Sequence, residues 1–214
     1  DIQLILERIA ETLGVSLGAK YVNFWDYSPD KTGVSIVATY GMQAQYVEYS
    51  RKDPLPLGTA WVGRAMKTGK AWSTSNVQKD PYLPKSWLPA VIEQGYHGLL
   101  CAPLIHGEKI TGGMCIYYEN IHEFDYFEMG VATVVANQAA TAVENARIFG
   151  DLTAEKNKTS SIIYSLNDGL IMYDNPGRVI FFNPKAQEFL LVGLGDIMGK
   201  KISEIPTGGS IYIE

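Results

Sequence analysis

Residues 98–118 read GLLCAPLIHGEKITGGMCIYY. Two apolar runs, Gly98–Ile105 and Lys109–Tyr118, flank His106-Gly107-Glu108. Apolar runs of this length around a Gly-containing turn predict an antiparallel hairpin. With His106 and Gly107 as the two central turn residues, residues whose numbers sum to 213 pair with each other. That odd sum sends Cys101 and Cys115 to opposite faces of the sheet. A three-residue loop would change the parity and set them face to face. The two-residue loop is the favoured reading, so two small buried thiols are expected and no disulfide.

Upstream, residues 2–13 place Ile2, Ile5, Leu6, Ile9 and Leu13 on one helical stripe, with Gly14 as the stop. Lys20–Tyr27 and Val34–Tyr40 read as strands around the turn Ser28-Pro29-Asp30-Lys31. Residues 43–57 have no clear period and hold Pro54 and Pro56, so a loop is expected. Gly58–Lys67 fits a short helix with Trp61, Val62, Ala65 and Met66 inward, and Ala71–Ser73 a brief strand. Asn76–Tyr96 reads as an excursion off the sheet with a helical turn or two around Pro89–Gln94.

Downstream, a helical pattern runs from about 124 to 166, roughly 60 Å at about 1.5 Å per residue. That is longer than one small domain needs. Strands at Gly169–Tyr173 and Arg178–Phe182, a helix at Asn183–Leu191 and a last strand at Ile211–Glu214 follow. The class is α+β, in two units joined by a helix: 1–150, a helix over 124–166, and 160–214.

The chain has 214 residues, 46% hydrophobic and 19% charged, enough for a packed core. The net charge of −5 argues against a general nucleic-acid or membrane-surface binder, which needs a basic face. No apolar run reaches about 18 residues, so no transmembrane helix is expected. Asp1-Ile2-Gln3-Leu4 carries neither an initiator Met nor a signal-peptide pattern, so the chain reads as a piece of a longer protein. Two cysteines in 214 residues are no disulfide scaffold and fit a reducing, cytoplasmic setting.

Catalytic motifs are absent. Gly195-Asp196-Ile197-Met198-Gly199-Lys200-Lys201 falls one residue short of a phosphate-binding loop and lacks its hydroxyl. No Gly-x-Ser-x-Gly or Gly-x-Gly-x-x-Gly occurs. His97, His106 and His122 lack metal-site spacing, so no metal or catalytic residue is expected.

Several stretches taken in order resemble a GAF domain, a small-molecule sensor fold. They are 58–70 (GTAWVGRAMKTGK), 76–81 (NVQKDP), 99–104 (LLCAPL), 112–116 (GGMCI), and Val131–Ala136 leading to Asn137-Gln138-Ala139-Ala140 and 143–147 (VENAR). Residues from about 160 to 206 resemble the opening of a PAS domain, with 167–171 (NDGLI), 174–178 (DNPGR), 179–184 (VIFFNP), Ala186, Phe189, Leu190 and 199–205 (GKKISEI). The order GAF then PAS is similar to the sensory half of bacterial sensor histidine kinases. The resemblance implies a cytoplasmic input module of a parent histidine protein kinase, with diguanylate cyclases and transcriptional activators as the alternative outputs.

In that family, ligands sit over one sheet face beneath the excursion. The resemblance implies a lining of Asn23, Trp25, Trp61, Trp72, His97 and alternate residues of 99–105, Cys101 among them. Cys101-Ala102 and Cys115-Ile116 lack the Cys-His pair of bilin-binding relatives. Asn120-Ile121 and Phe124-Asp125-Tyr126 miss the cyclic-nucleotide pattern. No cofactor is expected, and an empty pocket or a small metabolite is. A cavity of several hundred cubic ångströms with inward polar groups would mark a sensor. A Trp-filled interior would mark a dimerisation spacer. A homodimer is expected along the long helix, on a weak heptad seam of Val135, Ala142, Phe149, Leu152 and Ile163. Phe127, Val131, Val134, Val135 and Ala142 are expected to cover the sheet from the same helix.

Overall fold

The structure, a computed structural model, describes residues 2–190, 197–201 and 204. The strand expected at 211–214 lies outside these residues, as does most of 192–214. Two compact units are present, Asp1–Ile148 and Phe149–Glu214.

The first unit is built on a six-stranded antiparallel sheet. Its strands are β1 (Tyr21–Tyr27), β2 (Gly33–Tyr40), β3 (Leu55–Pro56), β4 (Trp72–Thr74), β5 (Gly98–His106) and β6 (Lys109–Tyr118), in the order β3-β2-β1-β6-β5-β4. The helices divide between its faces. On one face lie α2 (Ala44–Lys52), α3 (Ala60–Thr68), α4 (Leu88–Gln94) and the excursion around α4. On the other lie α1 (Ile2–Leu17) and the start of α5 (Tyr126–Ser165). Each face holds its own apolar core, because the central strands are buried on both sides.

The hairpin forms as predicted, with a different register. Gly107 and Glu108 are the central loop residues, because His106 pairs with Lys109. Gly107 has φ 60, which suits the first loop position of a primed two-residue turn. A bulge between Leu104 and Ile105 then adds one to the pairing sum, and Cys101 falls opposite Cys115. The expectation of two free thiols on opposite faces is therefore overturned. The two cysteines face each other with Cα atoms 4.2 Å apart and form a disulfide.

Two further expectations change. Residues 43–57 contain the helix α2, whose buried stripe is only Tyr46 and Ser50. Two inward residues one helical turn apart are too few to register as a period. Helix α1 continues through Gly14, which is buried where a Cβ would run into the Tyr40 ring. The glycine serves close packing there, and the helix ends at Leu17.

In α5 the residues buried against the sheet are Ala132, Ala136, Ala139 and Ala140, with Val135 and Val143 partly buried beside them. Val134 is exposed, and Phe127 and Val131 stay largely exposed at a groove beside Leu13, Leu100, Met114 and Ile116 rather than filling the core, contrary to expectation. Small side chains let the helix axis sit close to the sheet, so the larger ones are left outside.

The second unit contains the end of α5, the hairpin of β7 (Ile171–Tyr173) and β8 (Val179–Phe182), and α6 (Pro184–Leu190). Its core is Val179, Phe182, Ala186 and Ile197, with Ile171 and Leu190 against it. Asn183 is fully buried beside this core. Its Oδ1 accepts from Leu170 N at 2.8 Å and Ala186 N at 2.9 Å. Its Nδ2 donates to Asp168 O at 2.9 Å and Ile163 O at 3.2 Å.

Candidate functional site

The pairing register lays a row of side chains across five strands. Trp72 lies beside Cys101, Cys101 beside Cys115, Cys115 beside Asn23, and Asn23 beside Thr39. Asn23 is fully buried. It accepts from Thr39 Oγ1 at 2.5 Å and donates from Nδ2 to the Tyr117 hydroxyl at 3.3 Å. Trp25 lies two residues further along β1 on the same face.

Above this row lies an aromatic chamber. Trp25, Tyr46, Trp61, Trp87, Tyr96 and Tyr117 line it together with the disulfide. Rings meet mostly edge to face, with centroids 4.8 Å apart for Tyr96 and Tyr117 and 5.6 Å for Tyr46 and Trp87. Trp25 and Trp87 are tilted at 6.1 Å. About 20 Å³ remains free, room for about one water.

Few polar groups point inward. The Tyr46 and Tyr96 hydroxyls hydrogen-bond at 2.7 Å. The Tyr21 hydroxyl donates to Gln94 O at 2.9 Å. Trp25 Nε1 lies near enough to favour the Tyr117 hydroxylate, yet it completes no hydrogen bond. A buried N–H without an acceptor is costly and would welcome an acceptor from a bound molecule.

The excursion closes the chamber and is clamped from outside. The Arg64 guanidinium lies 3.5 Å from the Tyr82 ring centre and 5.1 Å from that of Trp72. Gln78 Nε2 donates to Tyr96 O at 3.0 Å, and the Tyr49 hydroxyl to Ser86 O at 2.9 Å.

Of the residues expected at the site, Trp25, Trp61 and Cys101 line the chamber. Asn23 supports it through Tyr117, and Trp72 packs at its edge under Arg64. His97 sits apart: its Nδ1 bonds Glu119 O at 2.6 Å and its ring is not in the lining. Tyr46, Trp87, Tyr96 and Tyr117 are lining residues that sequence reading passed over. The Tyr and Trp count was the available signal, at 13 and 4. Among the described residues no cluster of His, Cys, Asp and Glu is arranged to hold a metal ion, and no helix is long and apolar enough to cross a membrane.

Burial pushes the Tyr46, Tyr96 and Tyr117 hydroxyls well above the ordinary phenol range. Below pH ~10 the phenols are protonated in both the folded and unfolded chains, so stability does not depend on them. Above it the unfolded chain releases protons that the folded chain keeps. Stability is then expected to fall by up to about 1.4 kcal/mol per pH unit for each phenol. Unfolding followed by tyrosinate absorbance should show this slope, and Tyr96→Phe should remove one phenol's share of it. An unchanged slope in that variant would show that Tyr96 titrates freely in the folded chain.

The disulfide closes a short loop across a sequence separation of 14. Its removal by Cys101→Ala with Cys115→Ala is expected to cost about 2 kcal/mol, since the hairpin turn already favours closure. Urea unfolding checks this figure, with a somewhat steeper urea dependence in the variant because its unfolded chain is less constrained.

The family model of the GAF domain matches residues 1–144. No curated protein matches the chain. Several solved structures share the fold. The GAF domain of a phosphoenolpyruvate-protein phosphotransferase from Coxiella burnetii is 20% identical with a TM-score of 0.60, over 71% of this chain and 87% of that one. A domain of a two-component sensor histidine kinase protein from Sinorhizobium meliloti is 17% identical with a TM-score of 0.55, over 69% and 93%. The blue-light absorbing form of the PixJ GAF domain from Thermosynechococcus elongatus is 16% identical with a TM-score of 0.57, over 72% and 92%.

Proposed function

Because the chain belongs to the GAF domain family, we propose that it is the input module of a signalling protein, most simply a two-component sensor histidine kinase. In this reading the aromatic chamber is the sensing site and the state described is its closed form. The observation that carries it is the Trp25 N–H, buried in the chamber wall beside the Tyr117 hydroxyl without completing a hydrogen bond to it. A small planar molecule with one acceptor atom would satisfy it by displacing Trp87 and the excursion. Residues 160–214 would be PAS-like, with the Asn183 network holding the start of that fold. The module would act as a homodimer and pass its state along α5. Native mass spectrometry of the protein purified from its source organism tests the sensing role. A retained small molecule supports it. Bare protein, with no thermal shift across a panel of aromatic heterocycles, would sink it.

A second reading has its own support. The chamber keeps only about 20 Å³ free, far below the ~300 Å³ at which small-molecule sites begin. On that reading the rings are a permanent core, and the module is a dimerisation spacer ahead of a diguanylate cyclase or a transcriptional activator.

A further inference from the structure

The chain has two cysteines, and both stand in the wall of the aromatic chamber. Cys101 and Cys115 are 0% and 1% exposed and face each other on the neighbouring strands β5 and β6. The bond between them adds little to the sheet. It closes a short loop that the hairpin turn and the ladder from Gly98 to His106 already hold. The sulfurs look instead onto the same small free space as Trp61 and Trp87.

We propose that Cys101–Cys115 is a reversible redox site that exchanges two electrons with a dithiol reductant, and that its state sets how tightly the excursion closes the chamber. A thiolate of the dithiol attacks one sulfur and forms a mixed disulfide, while the other sulfur leaves as a thiolate and takes a proton. The second thiol of the reductant then displaces the first cysteine, which is protonated in turn, and the reductant departs as its own disulfide. Two electrons and two protons pass to the protein. The same path run backward against a disulfide restores the bond. The proposal goes beyond the sensing reading and does not depend on a bound molecule.

The coupling to the chamber is steric. Sulfurs no longer bonded must separate to van der Waals contact. The strands cannot part to make room, because β5 and β6 are paired along their length and flanked by β4 and β1. The sulfurs therefore press toward the rings. Only about 20 Å³ is free there, so Trp61, Trp87 or the excursion must give way. Access has the same gate. The attacking thiolate is charged, and the sulfurs lie under an apolar roof closed by segment 76–96. Exchange waits for that segment to lift. Cys101 is the sulfur nearer the sheet edge, since β4 with Trp72 is the edge strand beside it. Arg64 lies against Trp72 and also grips Tyr82 of the excursion, so releasing Arg64 opens the route to Cys101.

The oxidised 214-residue chain, incubated in dithiothreitol without denaturant, tests the site, with new thiols counted by alkylation and mass. The tryptophans at 25, 61, 72 and 87 all belong to or pack against the chamber core, so loss of the quenching disulfide should also raise their emission. Both thiols should appear together, and oxidised glutathione should reverse the change. Arg64→Ala should accelerate reduction at least about fivefold by easing local opening. Leu6→Ala, which weakens the core on the other face, should not. Both variants are checked as folded by circular dichroism. In the reduced chain, amide exchange at Val77 and Gly95, whose N–H groups bond His97 O and Val91 O, should quicken at least about tenfold, with Ala10 unchanged. No thiols in the folded chain would overturn the site. No acceleration by Arg64→Ala, or equal acceleration by Leu6→Ala, would overturn the gate. Unchanged exchange at Val77 and Gly95 after reduction would overturn the coupling. None of these results touches the native mass spectrum, which tests ligand sensing separately.

Discussion

Trp87→Ala is expected to destabilise the first unit by about 3–5 kcal/mol, the range for truncating a large buried aromatic. Trp87 is 2% exposed and meets Trp25, Tyr46 and Tyr49 in ring contacts, the nearest with centroids 4.9 Å apart. Its removal opens an apolar void under the excursion, which the clamped segment 76–96 can only partly fill. Added indole should recover part of the loss, because a dry apolar cavity of that shape takes up a small aromatic molecule. Thermal unfolding with and without indole measures both effects. A loss below about 1 kcal/mol would show that the excursion collapses inward freely. That outcome would mean the chamber is easily remodelled, as a sensor needs. A full loss that indole recovers would mean a rigid chamber built around its own rings.

Asn183→Ala is expected to unfold the second unit and leave the first intact. One side chain hydrogen-bonds Leu170 N, Ala186 N, Asp168 O and Ile163 O. Leaving the buried Ala186 amide unpaired costs about 1–3 kcal/mol, and the three part-buried bonds add to it. The first caps α6, and the bond from Leu170 N holds the chain entering β7. The total is about 4 kcal/mol, more than a core of four fully buried residues supplies in reserve. Asn183→Asp separates the two halves of the network. It keeps the acceptor for Leu170 N and Ala186 N, but turns a carboxylate oxygen toward the Asp168 and Ile163 carbonyls. It should therefore lie between the parent and the alanine variant. Amide exchange read separately at Leu100 and at Leu170 decides the matter. Protection lost at Leu170 and kept at Leu100 is the expected pattern. Equal loss at both would show that the two units unfold together.

The contrast between the units explains why the two substitutions act by different physics. The first unit draws on two apolar cores and an aromatic chamber, so its vulnerable points are large rings. The second has a small core, and one amide organises its turns. In a small unit a satisfied polar hub does the positioning that packing does in a larger one.

Much of this protein was legible from its residues alone. The hairpin at 98–118, the strands at β1 and β2, the helix through Trp61 and the long helix from about 124 to 166 all follow from local periodicity and turn chemistry. Those signals are carried by neighbours in sequence, which the chain cannot rearrange. The α+β class followed from their order. What the tertiary structure decided lies wherever a one-residue shift or a distant surface sets the outcome. A single bulge after Leu104 reversed the parity of the hairpin and brought Cys101 against Cys115. Gly14 reads as a helix stop until the Tyr40 ring is seen lying where its Cβ would be. In α5 several apolar stripes compete, and the sheet accepts the alanine stripe because small residues allow the closest approach. That choice leaves Phe127, Val131 and Val134 exposed. The chamber itself is assembled from strands, an excursion, α2 and α3, and its lining runs from Trp25 to Tyr117, about 90 residues apart in sequence. No local pattern announces that their rings converge, because convergence is a property of the packed sheet.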